Sequence, residues 1–194
     1  MPLAFDRGFH EPIRRIRLNR AREPVLTCSA EDRRREGLLT GYVRKHQAPV
    51  RVCLPGQDPI DGVLSLAPDS PYHAGPQTIL ELLNSQVRAI PFVLQSSTDV
   101  LLLTRDNIDW AVAGSGVESS LMLSPQLAVT REENVLVTFG DGRAIDGLIQ
   151  IELPEGMNRV SDFLNGPQEF FPLSARIGTV IVNKSRVRDT RLSA

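Results

Sequence analysis

Residues 135–153, VLVTFGDGRAIDGLIQIEL, decide the fold of this chain. Two runs of alternating apolar and polar residues flank Gly140-Asp141-Gly142-Arg143. Alternation with a period of two is typical of a strand that buries one face. An Asp-Gly pair between two such runs is the short-range signal of a β-hairpin. We therefore predict strands over residues 135–139 and 144–153, joined by a turn whose residues are explained by hairpin geometry alone.

A second version of this pattern, with more substitutions, lies about 85 residues earlier in the chain. Residues 50–54 and 60–66 alternate in the same way around the turn cluster PGQDP. The spacing between matching residues drifts only in predicted loops, where insertions cost little. Ordered self-similarity of this kind predicts an internal duplication. Four correspondences occur in the same order: Ile60-Asp61-Gly62 with Ile145-Asp146-Gly147, Leu83-Asn84 with Leu164-Asn165, Pro91 with Pro172, and Ile108 with Val187.

We expect a mainly β protein made of two tandem small β-barrel or sandwich modules with one short helix each. The helices are predicted over residues 78–84, with Thr78 as the N-cap, and over residues 160–165. The chain divides into an extended basic arm with short helix and strand elements over residues 1–49, module 1 over 50–112, a linker with a strand over 113–134, and module 2 over 135–194.

Two pairs of residues are assigned structural roles. Gly62 and Gly147 lie inside predicted strands, where a glycine marks a bulge, a bend or a close approach of another backbone. A strongly bent strand is also the way in which a small barrel closes. Asn84 and Asn165 end the two helices, where asparagine tolerates the left-handed conformation. The alternative is that both amide side chains recognise a ligand.

The charge is distributed unevenly along the chain. The whole chain has a net charge of −1, but residues 1–46 hold eleven Lys and Arg against six acids, so the remainder carries a charge of about −6. Such asymmetry favours contact between the basic arm and nucleic acid, anionic lipid or the protein's own acidic surface. The alternative is a solvated tail. The arm residues that we assign to binding are Arg14, Arg15, Arg17, Arg33, Arg34 and Arg35.

The residues that enzymes and metal sites need do not occur in groups. His10, His46 and His73 have no His or Cys at ligand spacing, and two cysteines are too few for a disulfide framework. No glycine-rich phosphate loop is found. We therefore expect no catalytic residues, no metal and no cofactor. Since the sequence also lacks a signal peptide and an apolar run of about 18 residues, we expect a cytoplasmic protein without a membrane span.

The stretch VLVTFGDGRAIDGLIQIELPEGMNRV of module 2 has an alternating strand, a Gly142-Arg143 turn, a strand with a central Gly147 and a loop that ends in Met157-Asn158. In these features module 2 resembles the Sm/LSm family of small β-barrel proteins. The segment VNKSRV at residues 182–187 stands where the family has its second motif, without that motif's glycine. A closer likeness, over all of module 2, is to uncharacterised bacterial domains with the pattern strand-DG-strand-SDFLN-FIPL, which brings no established activity.

The Sm likeness implies a ring of barrels that binds RNA near Asn158 and Lys184. From the residues themselves we favour a different function, a non-enzymatic adaptor or assembly protein that associates with itself or with a protein partner through strand edges. The alternative is an Sm-like RNA- or single-stranded-DNA-binding protein that uses the basic arm and the loop near Asn158. The acidic balance of the modules and the isolation of Tyr42, Tyr72 and Trp110 weigh against nucleic acid. The Arg-led clusters of the arm also suggest a PilZ-type cyclic-dinucleotide site, but its second element does not follow them.

Overall fold

The computed structural model describes residues 45–97, 99–114, 131–153 and 159–192. Within these ranges every strand belongs to one antiparallel sheet, so the expectation of a mainly β protein is confirmed. Two five-residue α-helices accompany the sheet, and neither has the length to cross a bilayer. The elements are β1 (His46–Cys53), β2 (Ile60–Leu66), α1 (Ile79–Leu83), β3 (Ala89–Leu94), β4 (Val100–Thr104), β5 (Trp110–Ala113), β6 (Arg131–Phe139), β7 (Ala144–Ile151), α2 (Val160–Leu164), β8 (Phe170–Ala175), β9 (Gly178–Asn183) and β10 (Val187–Leu192).

The hairpin predicted over residues 135–153 is present as β6 and β7, which pair from Arg131↔Ile151 to Thr138↔Ala144. Its turn has Gly142 at φ 85°, a conformation that glycine adopts without steric cost. Both strands of the first pair also form, although β1 begins at His46, before the predicted boundary at residue 50. The apolar alternation of the sequence therefore predicted these strands correctly, and their ends less well.

The strands of the sheet follow the order β10-β6-β7-β8-β9-β5-β1-β2-β3-β4. We call β1–β5 with α1 the first half and β6–β10 with α2 the second half. In each half the fifth strand lies beside the first, and the second, third and fourth strands follow in sequence. The halves meet where β9 pairs with β5. The strand order inside the two halves is therefore the same.

The pairing registers also match between the halves. Val50 lies opposite Gly62 in the first half, and Val135 lies opposite Gly147 in the second. The same holds further along the sheet: Ile90↔Leu103 corresponds to Phe171↔Val182, and Cys53↔Trp110 to Thr138↔Asp189. We call residues at matching positions of the two registers equivalent. Residues of the paired strands in one half thereby have equivalent residues in the other half.

The expectation that each half closes into its own barrel is not confirmed, because the sheet is continuous and open. Closure of the second half would need its fourth and fifth strands, β9 and β10, to meet. Instead β9 pairs with β5 of the first half. Within the described residues β4 and β10 each have a single neighbouring strand and form the two edges of the sheet.

Each of the two apolar cores receives side chains from both halves. The first-half core includes Phe170 and Ile181 from the second half. The second-half core includes Cys53 and Trp110 from the first half. All four of these side chains are fully buried. The joint between the halves is therefore part of the hydrophobic interior, and the two halves stabilise each other.

Gly62 and Gly147 lie where a neighbouring strand covers the sheet closely. A Cβ atom at Gly62 would stand 2.4 Å from Cζ of Phe92 and 2.4 Å from the Val93 carbonyl oxygen. A Cβ atom at Gly147 would stand 2.7 Å from Cγ of Leu173 and 2.8 Å from the Ser174 carbonyl oxygen. Any side chain at either position would displace the strand beside it.

The ends of α1 match the prediction at one end only. Thr78 is the N-cap, as expected, and forms a capping box with Glu81. The expectation of a left-handed residue at the other end is wrong: Asn84 has φ −87° and ψ 1°, and Asn165 after α2 has φ −81° and ψ −3°. The backbone keeps a negative φ at both positions, and the Asn84 side chain instead forms hydrogen bonds with the backbone of Phe170.

Candidate assembly edges and the joint between the halves

The edge strand β4 exposes three consecutive apolar side chains. Val100, Leu101 and Leu102 are 61%, 37% and 70% exposed, and no charged residue interrupts the strand. An edge strand offers unpaired backbone N–H and C=O groups to another strand, and proteins usually protect such edges with charges or proline. The opposite edge, β10, carries Arg188, Asp189 and Arg191 and is protected in this way. The open edge at β4 is therefore the larger exposed apolar feature.

The joint inside the chain shows how these two kinds of edge pair. In it β5, a fifth strand, pairs with β9, a fourth strand, and Ala111 lies opposite Ile181. The backbone N–H of Asn183 donates to the Asp109 carbonyl oxygen over 3.0 Å. The free edges of the sheet are again a fifth strand, β10, and a fourth strand, β4. The edges left open are thus equivalent to the two edges that meet inside the chain.

Ile181 and Leu102 occupy equivalent positions with opposite exposure. Ile181 is fully buried and packs in the core of the first half, which also contains the helix residues Leu82 and Leu83. Its equivalent, Leu102, is 70% exposed. The helices differ in the same way, since α1 buries three of its four apolar side chains and α2 buries none of its own fully. Ile181 from the second half packs in the same core as α1, whereas no fully buried residue lies in α2.

Asn84 binds α1 to the second half of the sheet with two hydrogen bonds. Its side-chain Nδ2 donates to the Phe170 carbonyl oxygen over 3.0 Å, and its Oδ1 accepts from the Phe170 N–H over 2.9 Å. One amide therefore satisfies both backbone groups of one residue. The equivalent of Asn84 is Asn165, which is exposed and whose side chain makes no hydrogen bond to the described part of the chain.

A buried charge cluster also crosses the joint. Asp109 is 3% exposed and accepts from Arg143 Nη2 over 2.7 Å and from Arg186 Nε over 3.0 Å, both in the second half. Arg143 further donates to the carbonyl oxygens of Leu54 (3.1 Å) and Gln57 (2.9 Å). Sequence reasoning assigned Arg143 to the hairpin turn alone. The signal that it missed is Asp109, an acid within the apolar stretch IDWAV that needs a cationic partner.

Cys53 lies against the same cluster, with its Sγ in contact with Arg143 Nη1. Burial raises the pKa of its thiol to about 11, although the nearby Arg143 acts in the opposite direction. The thiol is free and stays protonated at neutral pH, and a thiol rather than a thiolate is a poor nucleophile. The cluster therefore links the two halves through buried ion pairs and hydrogen bonds.

Lys184, which the Sm likeness assigns to RNA, lies against the loop that follows α2. Its Nζ donates to the carbonyl oxygens of Phe163 (3.1 Å) and Gly166 (3.2 Å), and burial lowers its pKa. A cleft of about 310 Å³ lies beside it. The equivalent residue, Arg105, holds the loop after α1 through the Ser85 carbonyl oxygen and pairs with Glu169 over 2.7 Å. This position supports a loop in both halves.

The remaining residues predicted to bind a partner lie outside the described ranges: Arg14, Arg15, Arg17, Arg33, Arg34, Arg35 and Asn158. The structure brings together Asn84 and Phe170, and it places Lys184 in the short segment between β9 and the edge strand β10. In the part of the chain that is described, no three His, Cys, Asp or Glu side chains converge as ligands for a metal ion.

Comparison of the chain with protein-family models, with curated proteins and with solved structures found no match in any of the three.

Proposed function

We propose that this protein is a non-enzymatic assembly protein, built by internal duplication, whose copies associate head to tail by pairing β4 of one copy with β10 of the next. The observation that carries this proposal is the β5–β9 pairing inside the chain. It joins a fifth strand to a fourth strand, and among the described residues one strand of each kind, β10 and β4, is left with one open side. A second copy of the chain is the partner whose edges fit.

The equivalence of the halves specifies the register of the proposed contact. Ala111↔Ile181 inside the chain corresponds to Thr190 of one copy opposite Leu102 of the next. Leu102 would then enter the second-half core of the neighbouring copy beneath α2, as Ile181 enters the first-half core beneath α1. Burying a leucine side chain contributes roughly 2 kcal/mol. The half-buried apolar side chains of α2 would be covered in the same step.

Charges support one part of this contact and oppose another. The internal pair of Arg143 with Asp109 corresponds to Asp58 of the next copy with Arg188, so opposite charges meet again, with their signs exchanged. The internal pair of Glu169 with Arg105 corresponds to two cations, Arg88 and Lys184. In addition, the buried Trp110 is replaced by Asp189. The contact between copies is therefore weaker than the joint inside the chain, and we expect it to be reversible.

The test is the mass of the protein in solution. We expect the full chain to sediment as a multiple of its 21.4 kDa mass at high concentration and to dissociate on dilution. Leu102→Asp places a charge at the centre of the β4 edge and is expected to yield a 21.4 kDa species at every concentration. Tyr72→Asp, at a 75% exposed aromatic in the loop before α1, is the matched control and should associate like the unchanged chain.

Analytical ultracentrifugation distinguishes the outcomes. A full chain that remains a single copy at the highest concentration contradicts the proposal. Association that survives Leu102→Asp contradicts it as well, because the β4 edge would then not be the surface used.

The excess of positive charge in residues 1–46 favours a second candidate, binding of RNA or single-stranded DNA. A gel-shift titration with oligo-U and oligo-A, on the full chain and on a chain that begins at Val50, tests it. Binding that weakens as salt increases and is lost on truncation would place it in the arm. An absence of binding at low salt would remove this candidate.

A further inference from the structure

We infer that Asn165 of one copy clamps the backbone of Ala89 in the next copy and so fixes the register of the assembly. This inference rests on the proposed head-to-tail association. It assigns a partner to an exposed amide that has no hydrogen bond within the described residues. The clamp is equivalent to the one that Asn84 forms on Phe170.

Asn165 has the geometry that such a clamp requires. Asn84 and Asn165 follow their helices with nearly the same backbone angles, φ −87° and ψ 1° against φ −81° and ψ −3°. Each backbone N–H also closes the helix end in the same way, onto Leu80 for Asn84 and onto Ser161 for Asn165. The two side chains therefore leave the ends of their helices in the same direction relative to the helix. One ends on a peptide of the other half, and the other ends at the surface.

Ala89 presents its backbone as Phe170 does. Ala89 lies opposite Thr104 as Phe170 lies opposite Asn183. The N–H of Arg105 donates to the Arg88 carbonyl oxygen over 2.8 Å, as that of Lys184 donates to the Glu169 carbonyl oxygen over 2.8 Å. Antiparallel strands alternate between hydrogen-bonded and non-hydrogen-bonded pairs. The backbone N–H and C=O groups of Ala89 therefore point away from β4, and Ala89 is exposed.

An amide is the side chain that this task needs. It offers one donor and one acceptor at the spacing of a peptide group, and so it can pair with the N–H and the C=O of one residue together. A strand pair held only by its ladder can slip along its length, whereas a side chain that binds one backbone position specifies a single register. In the assembly, Asn165 would allow one alignment of β4 against β10.

The experiment measures self-association of the full chain by sedimentation equilibrium. Asn165→Ala and Asn165→Asp are each expected to raise the dissociation constant by about tenfold or more, because two hydrogen bonds between copies are lost. The aspartate has nearly the same shape but no donor, so it tests the hydrogen bonds apart from the shape. In a Leu102→Asp background, which keeps single copies apart, Asn165→Ala should leave the urea unfolding midpoint unchanged.

A double-mutant cycle identifies the partner of Asn165. Ala89→Pro removes the N–H that Asn165 Oδ1 would accept, at a position outside the β3–β4 hydrogen-bonded pairs. If the two residues bind each other, the double variant should be little weaker than either single variant. Effects that multiply independently would overturn the inference, and so would an unchanged dissociation constant in both Asn165 variants. These results leave the proposed function intact if Leu102→Asp still abolishes association. A full chain that never associates would overturn both.

Discussion

Asp109 is a buried carboxylate whose cationic partners come from the other half of the chain. A buried charge is costly unless it is paired, and the removal of one partner leaves it uncompensated. Exposed ion pairs behave differently, because solvent screens them. Arg51 and Asp61 form such a pair on the surface of the first half, with the same donor–acceptor distance of 2.7 Å as Arg143 and Asp109. The two ion pairs therefore differ in the burial of their carboxylates and not in distance.

We predict that Arg143→Met lowers the free energy of unfolding by about 3 kcal/mol, because Asp109 loses a partner and two carbonyl oxygens lose donors. Arg51→Met is the control and should cost no more than about 1 kcal/mol. Urea unfolding followed by circular dichroism measures both. Equal losses in the two variants would show that the cluster at the joint is no more important than a surface pair.

At the scale of the elements, the close approach of β3 to β2 and of β8 to β7 depends on two glycines. Phe92 lies over Gly62, and Leu173 lies over Gly147, so each second strand accommodates a bulky side chain from the third strand. Gly140 in the β6–β7 turn has no atom within 4 Å of the position that a Cβ would take. Glycine at that turn position is therefore not required by packing.

We predict that Gly62→Ala and Gly147→Ala each lower the free energy of unfolding by about 3 kcal/mol or more, because the added carbon meets backbone as well as side-chain atoms. Gly140→Ala should change it by less than about 0.5 kcal/mol. Thermal and urea unfolding of the three variants provide the comparison. If Gly62→Ala proved as stable as Gly140→Ala, the close contact of Gly62 with β3 would not limit the side chain at this position.

At the scale of the whole molecule, the proposed contact joins two different edges of the sheet. Such a heterologous contact produces rings when its rotation closes and filaments when it does not. Either product requires every copy to offer both β4 and β10. Blocking one edge in one variant and the other edge in a second variant should therefore stop growth at a pair.

We predict that Leu102→Asp and Thr190→Pro chains, each a single copy alone, form a dimer of about 43 kDa when mixed, twice the 21.4 kDa chain. The bond from the Asn183 N–H to the Asp109 carbonyl oxygen shows that the N–H of Ala111 faces β9. Thr190 is equivalent to Ala111, so its N–H lies at the outer side of β10, where proline removes a donor. Light scattering after size-exclusion chromatography gives the mass. A mixture that stays at the mass of one copy contradicts head-to-tail pairing.

Much of the local structure follows from patterns within a few residues of each other. The turn at Gly142, the N-cap at Thr78 and the strands β1, β2 and β7 are specified by alternation, capping and turn chemistry, and all of them form. The roles of Asn84 and Arg143 could not be predicted in the same way. Their partners are Phe170 and Asp109, which are distant in sequence and are brought near only by the β5–β9 joint.

The sequence by itself determined a mainly β chain with two matching sets of strands, because side-chain periodicity and turn residues act locally. Only the tertiary structure decided that the sets share one open sheet, since the choice between closing a barrel and pairing with the other half depends on which edge strands meet. That choice is made by contacts across the joint, by Ile181 beneath α1 and by the arginines around Asp109. It leaves β4 and β10 as the edges of the described sheet, each equivalent to a strand that the joint already pairs.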